Sequence, residues 1–124
     1  GGANVTMPFT LLNGVKLWYD DWGVVDGNGG DSSGSNAARV TATTVEPIVF
    51  LHGFCAYRRN WGYEEDGTAW LLAHRRGDPS VSYRCIFLET RGCNESRLAP
   101  GPYTMEQHAL DILALVDHLN ISTF

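Results

Sequence analysis

Cysteine is scarce in this chain: Cys55, Cys85 and Cys93 are the only three. An odd count with no C-x-x-C spacing excludes a disulfide framework and gives no support for a metal site. Basic residues are also short, with nine Lys and Arg against 14 Asp and Glu, a net charge of −5. They form no long run, only the pairs Arg58-Arg59 and Arg75-Arg76. That balance argues against nucleic acid or an anionic membrane as partner, since both reward basic surfaces. Long apolar runs are missing too, and none approaches the roughly 20 residues that span a bilayer. The opening GGANVTMPF lacks the basic-then-apolar order of a signal peptide, so a cytoplasmic location is the expectation. The Asn-x-Ser/Thr triplets at Asn4, Asn94 and Asn120 are then chance matches.

What is present suits a packed domain, or part of one. Hydrophobic residues make up 44% of the chain and charged residues 19%, outside the range of disordered segments. Residues 9–22 predict a hairpin, with Asn13-Gly14 as its turn. In its second arm Val15, Leu17 and Tyr19 alternate with Lys16, Trp18 and Asp20, as in a strand with one covered face. Residues 23–46 are rich in Gly, Ser, Asn and Thr and predict a flexible insertion, although 39–45 is able to extend a strand edge. Residues 47–51 are wholly apolar and include the β-branched Ile48 and Val49, which suits a strand buried on both faces.

A short helix is expected over 66–76, ended by Gly77 and Pro79, and a second buried strand over 83–89. Residues 104–119 predict the clearest helix. Thr104 and Gln107 form a capping-box pattern, Met105, Ala109, Ile112, Val116 and Leu119 form the apolar stripe, Asp111 stays off it, and Asn120 is the stop. Residues 121–124 read as the start of a further strand. Strands alternating with helices predict an α/β fold, in which an antiparallel hairpin leads into a mostly parallel sheet with flanking helices. Ligands bind such sheets beyond the carboxyl ends of the strands, where His52-Gly53 and Arg91-Gly92 both fall.

Four stretches carry a family resemblance. They are Leu51-His52-Gly53-Phe54, then Trp61, then Glu89-Thr90-Arg91-Gly92-Cys93-Asn94-Glu95-Ser96, and then Gly101-Pro102-Tyr103-Thr104. In this order, with these helices between them, they resemble the N-terminal portion of the α/β-hydrolase superfamily. The resemblance covers the whole chain, read as residues 1–124 of one partial domain, except the insertion at 23–46. Two departures stand out: Glu89 replaces the usual Asp, and Asn94 replaces a glycine. Asn is the non-glycine residue that best tolerates a left-handed backbone, so the second swap is mild.

The resemblance implies a hydrolase acting on an ester-like or epoxide bond of a small molecule, by a nucleophile–His–acid mechanism and without a cofactor or metal. The peptide N–H of Phe54 would be one oxyanion donor. His52, Gly53, Arg91 and Gly92 would shape the site loops, with His52 no base, Gly53 allowing a sharp turn, Arg91 pairing with Glu89 or bonding loop carbonyls, and Ser96 capping a turn. The nucleophile, acid and catalytic histidine of the family fall downstream of Phe124, so no catalytic residue is expected in these 124 residues. Gly30-Asp31-Ser32-Ser33-Gly34 matches the nucleophile-elbow pattern G-x-S-x-G, but it lies in a low-complexity run with no strand before it and no helix after it. Cys55 and Cys93, each just past a strand, read as free thiols, and His74, His108 and His118 as partly packed helical residues. The competing expectation is a non-catalytic binding or scaffold protein on the same fold.

Overall fold

The structure, a computed structural model, describes residues 9–25, 44–65, 67–70 and 80–124. Strands β1 (Phe9–Leu12) and β2 (Val15–Val25) form the expected hairpin. Asn13 and Gly14 both take left-handed φ values, 50° and 78°, which is what a two-residue turn between twisted strands requires. At 11 residues, β2 is long enough to serve two neighbours. Its first half pairs with β1, and its second half pairs antiparallel with β4 (Val81–Leu88). A register shift between Asp21 and Val24 breaks that second ladder, and Gly23 sits there at φ 66° with its N–H on Asp21 Oδ1 at 2.8 Å.

Strand β3 (Thr44–Leu51) pairs parallel with β4, giving the order β1-β2-β4-β3. Among the described residues the sheet is therefore mixed, with one parallel contact and two antiparallel ones, rather than mostly parallel. The long hairpin arm lies directly against β4 and contributes the second antiparallel pair. Both ends of the expected 23–46 insertion are strand, and 26–43 lie outside the described residues. Residues 23–25 complete β2 and 44–46 begin β3, because both ends find ladder partners on β4. The elbow-like Gly30–Gly34 motif lies outside the described residues. So does most of the 66–76 helix, including His74, although Thr68, Ala69 and Trp70 are helical.

Alternation along β4 sends its apolar residues to two cores. Ile86 and Leu88 join Leu12, Leu17 and Tyr19 of the hairpin beneath α1 (Met105–His118), against Leu115, Val116 and Ile121. Cys85 and Phe87 face the other way, with Phe50, Ala69 and the half-buried Trp22, Trp61 and Tyr63. Phe87 stacks on Phe50 with ring centroids 4.7 Å apart. Fully burying a residue such as Leu17, Ile86 or Phe87 contributes about 1.5–3 kcal/mol. β4 is thus the strand buried on both faces. In β3, Phe50 is buried but Ile48, Val49 and Leu51 are only half-buried, since β3 lies at the edge.

Helix α1 departs from its expected face. Asp111, Leu115 and Val116 point inward, while Met105 and Ala109 are exposed. Asp111 shifts the stripe because it turns in to meet an arginine. Thr104 caps the helix as expected, its Oγ1 accepting from Gln107 N–H at 3.1 Å, but the Gln107 side chain reaches forward to Asp111 instead of back. Asn120 ends the helix at φ 58°, with Ile121 N–H on Val116 C=O at 2.8 Å and Asn120 N–H on Asp117 C=O at 3.1 Å. Ile121 is therefore drawn into the helix cap, and 121–124 form no strand. No described helix is long and apolar enough to cross a membrane.

Among the described residues the outer edge of β3 has no strand partner, and unpaired edges of half-buried apolar strands associate. The isolated chain is expected to form oligomers in sedimentation velocity. Val45→Lys, at an exposed position of β3, should lower the oligomer fraction severalfold. A monodisperse wild-type monomer that melts cooperatively would contradict this.

Candidate functional site

Two loops meet at the carboxyl ends of the parallel pair, 52–57 after β3 and 89–97 after β4. In β-sheet terms they are adjacent because Leu51 pairs with Leu88. Buried polar groups need partners, and several hydrogen bonds cross from one loop to the other. His52 Nδ1 lies 2.9 Å from Gly53 C=O, and its Nε2 accepts from Thr90 N–H at 3.1 Å. Asn94 Nδ2 donates to Ala56 C=O and to Glu89 Oε1, each at 3.1 Å. Asn94 takes φ 42°, a left-handed backbone that asparagine tolerates.

The strongest tie is a residue that sequence reading passed over. Arg58, in the short 3-10 turn Arg58–Trp61, is 3% exposed, so its guanidinium must be paired. Its Nη1 donates to Glu89 Oε2 at 2.5 Å and to Glu95 Oε2 at 2.9 Å, and its Nε donates to Asp20 Oδ2 at 2.7 Å. Tyr63 also donates its hydroxyl to Asp20 Oδ2, at 2.8 Å. Burial, then the bond to Asp20, push the Tyr63 hydroxyl well above its usual range, so it stays a donor. Asp20, on the face of β2 expected to be solvated, is 1% exposed for this reason. A faint signal existed: three acidic residues, Asp20, Glu89 and Glu95, flank apolar strands, and an arginine follows the first loop.

Burial alone would push the Glu89 carboxyl up, but hydrogen bonds from His52, Asn94 and Arg58, with the Arg58 charge, hold it below the usual carboxylate range. For His52, burial favours the neutral ring. The contacts with Glu89 and the Gly53 carbonyl outweigh it and raise the imidazole above its ordinary value.

Arg91 does not meet Glu89, which Arg58 already occupies. It forks onto Asp111 instead, with Nε and Nη2 each 2.7 Å from a carboxylate oxygen, and its Nη1 donates to Pro100 C=O at 2.8 Å. Asn13 of the hairpin turn donates to the same carboxylate at 3.2 Å. Arg91 thus fastens the second loop to α1. Gly92 is required beside it: φ is 83°, and a Cβ would come within 2.7 Å of the Tyr103 ring. Ser96 caps no turn; its Oγ accepts from Trp18 N–H at 3.0 Å.

Gly53 does not use glycine's freedom, since its φ is not left-handed and a Cβ there would meet open space. The left-handed residue of that loop is Cys55, at φ 58°. Phe54 between them is 97% exposed, and no described residue accepts a hydrogen bond from its N–H. The loop closes behind it through Ala56 N–H on Gly53 C=O at 3.1 Å. A cleft of about 200 Å³ is lined by Tyr57, Arg58, Arg59, Glu89, Asn94 and Glu95, and Phe54 is not among its lining residues. All three cysteines are free thiols; Cys93 Sγ accepts from Thr90 Oγ1 at 3.3 Å, and burial pushes the Cys85 thiol up to about 12. Among the described residues no cluster of three His, Cys, Asp or Glu is placed to hold a metal ion.

Because Glu89 is held low, the unfolded chain binds a proton there more readily than the folded one. Its contribution is complete above the ordinary value of about 4.3 and is lost as pH falls through the lower folded value. Stability in urea is therefore expected to decline with acidification below about pH 4.3. Glu89→Gln should cost ~3 kcal/mol at pH 7 and make that acid decline shallower. An unchanged slope would contradict the pairing.

No family model matches the chain, and no curated protein matches it. Among solved structures it is similar to the epoxide hydrolase VrEH1 from Vigna radiata, with a TM-score of 0.58 and 23% identity. The match covers 100% of this chain and 32% of that one, so the chain spans about a third of that enzyme's length. At that identity the likeness is one of fold: these residues follow the path of part of an α/β-hydrolase-fold enzyme.

Proposed function

We propose that this chain forms the N-terminal part of an α/β-fold hydrolase, in which the Phe54 peptide N–H donates to the oxyanion of an acyl-transfer step. The substrate is a small molecule with an ester-like or epoxide bond. The observation that carries this reading is the Phe54 amide itself: unclaimed by any described acceptor, in an exposed residue, and set just past the carboxyl end of a parallel strand. An oxyanion donor works when it is fixed in advance, so that nothing reorganises as charge develops. His52, Thr90, Arg58 and Glu89 supply that fixity from beneath.

The nucleophile, its acid and the catalytic histidine belong to the remaining length of such a protein. A serine nucleophile gives an oxyanion on attack at an ester. An aspartate nucleophile opens an epoxide to an ester intermediate, whose hydrolysis passes through an oxyanion as well. The same Phe54 donor serves both. The two departures from the family pattern give no weight to the non-catalytic alternative, because Glu89 is fully partnered and Asn94 takes the backbone of the glycine it replaces.

Replacing the Phe54 peptide N–H by an ester oxygen in the full-length protein, assayed on aryl esters and on styrene-type epoxides, should lower kcat about 10²–10³-fold with little change in KM. Unchanged turnover on both substrates would reject the role.

A further inference from the structure

His52 has two neighbours competing for one nitrogen. Its Nδ1 faces a carbonyl, Gly53 C=O at 2.9 Å, so Nδ1 carries a proton whatever the state of the ring. The titrating position is therefore Nε2. That atom lies 3.1 Å from Thr90 N–H, which needs a lone pair, and 3.1 Å from Glu89 Oε1, which needs a proton; Thr90 Oγ1, at 3.3 Å, can serve either state. Nε2 cannot satisfy both the amide and the carboxylate. We infer that His52 is a two-state positioning residue: neutral, it holds Thr90 N–H and ties the two site loops together, and protonated, it turns its Nε2–H to Glu89 and releases the Thr90 N–H.

The surroundings favour a real exchange. The side chains of His52 and Glu89 are each 1% exposed, so solvent cannot stand in for a lost partner. Every charged group facing the ring bears on the balance. Glu89, at the end of β4, favours the protonated form. Arg58, from the 3-10 turn, opposes it, and Asp20 on β2 and Glu95 on the second loop reach the ring only through Arg58. Burial also opposes protonation, but the Glu89 bond prevails, so the exchange falls above the ordinary histidine value of about 6.5.

Released, the Thr90 N–H loses its acceptor on the first loop, while Thr90 Oγ1, 3.3 Å from Nε2, can accept from the protonated ring; the turn to Cys93 (Cys93 N–H on Thr90 C=O, 3.0 Å) then loosens on its amide side. His52 immediately precedes Gly53 and Phe54, so the same event resets the orientation of the Phe54 amide. This last step rests on the oxyanion role proposed for Phe54; the exchange at Nε2 does not.

The test is NMR of the isotope-labelled 124-residue chain from pH 5 to pH 9, carrying Val45→Lys if association broadens the spectra. The His52 Nε2 and Thr90 amide resonances should titrate with one midpoint above about 6.5. Below that midpoint the Thr90 amide should exchange with solvent about tenfold faster, after correction for the intrinsic pH dependence. His52→Gln should abolish the transition. Glu89→Gln, which keeps the shape and removes the charge, should move the midpoint to or below about 6.5. A Thr90 amide that does not titrate, or a midpoint unmoved in Glu89→Gln, would overturn the inference. Neither readout depends on turnover, so loss of the Phe54 role would leave this result standing, and the reverse.

Discussion

The Arg58 guanidinium is buried among three carboxylates where three elements converge. Asp20 comes from β2, Glu89 from the end of β4, and Glu95 from the loop beyond it. Taking a guanidinium out of water is costly, and the cost is offset only while its partners hold their geometry. The constraint runs both ways. Asp20 and Glu89 are each 1% exposed and need Arg58 as much as it needs them, whereas Glu95, with 41% of its side chain exposed, is the least committed member. The loop carrying Phe54 leaves β3 and returns through Arg58, so this group sets where that loop can lie.

A second fork repeats the logic on the opposite side of the sheet. Arg91 and Asp111 join the β4 loop to α1, and Asn13 draws the hairpin turn onto the same carboxylate. The two arginines divide the second loop between them. Its acidic members face Arg58, and its own arginine faces the helix. Glu89, at the strand end, reaches both Arg58 and His52 on the neighbouring loop.

Much of the backbone was legible in the sequence because local chemistry decided it. Asn13-Gly14 makes the hairpin, Thr104 and Asn120 bound the helix, and the apolar runs become β3 and β4. What escaped was decided by distant partners. Asp20 looked solvent-facing by alternation, and Asp111 looked off the helical stripe, yet each turns inward to an arginine 38 or 20 residues away. Periodicity registers the polarity of a side chain and cannot register a paired charge. Of the two partners expected for Arg91, a loop carbonyl is met at Pro100 and Glu89 is not, because the choice between Arg58 and Arg91 depends on which side of the sheet each loop crosses. Gly53 was assigned the sharp turn on resemblance, while the left-handed φ fell two residues later at Cys55, a position that no propensity favours.

The account stands on Arg58 and Glu89 acting as a single unit that holds the two site loops together. A double-mutant cycle in urea at pH 7, with Arg58→Met, Glu89→Gln and the double variant, measures this directly. The account predicts that the second substitution costs far less once the first is made, with a coupling of ~2 kcal/mol or more. Additive losses, agreeing within about 0.5 kcal/mol, would mean that the two side chains act independently and would contradict it.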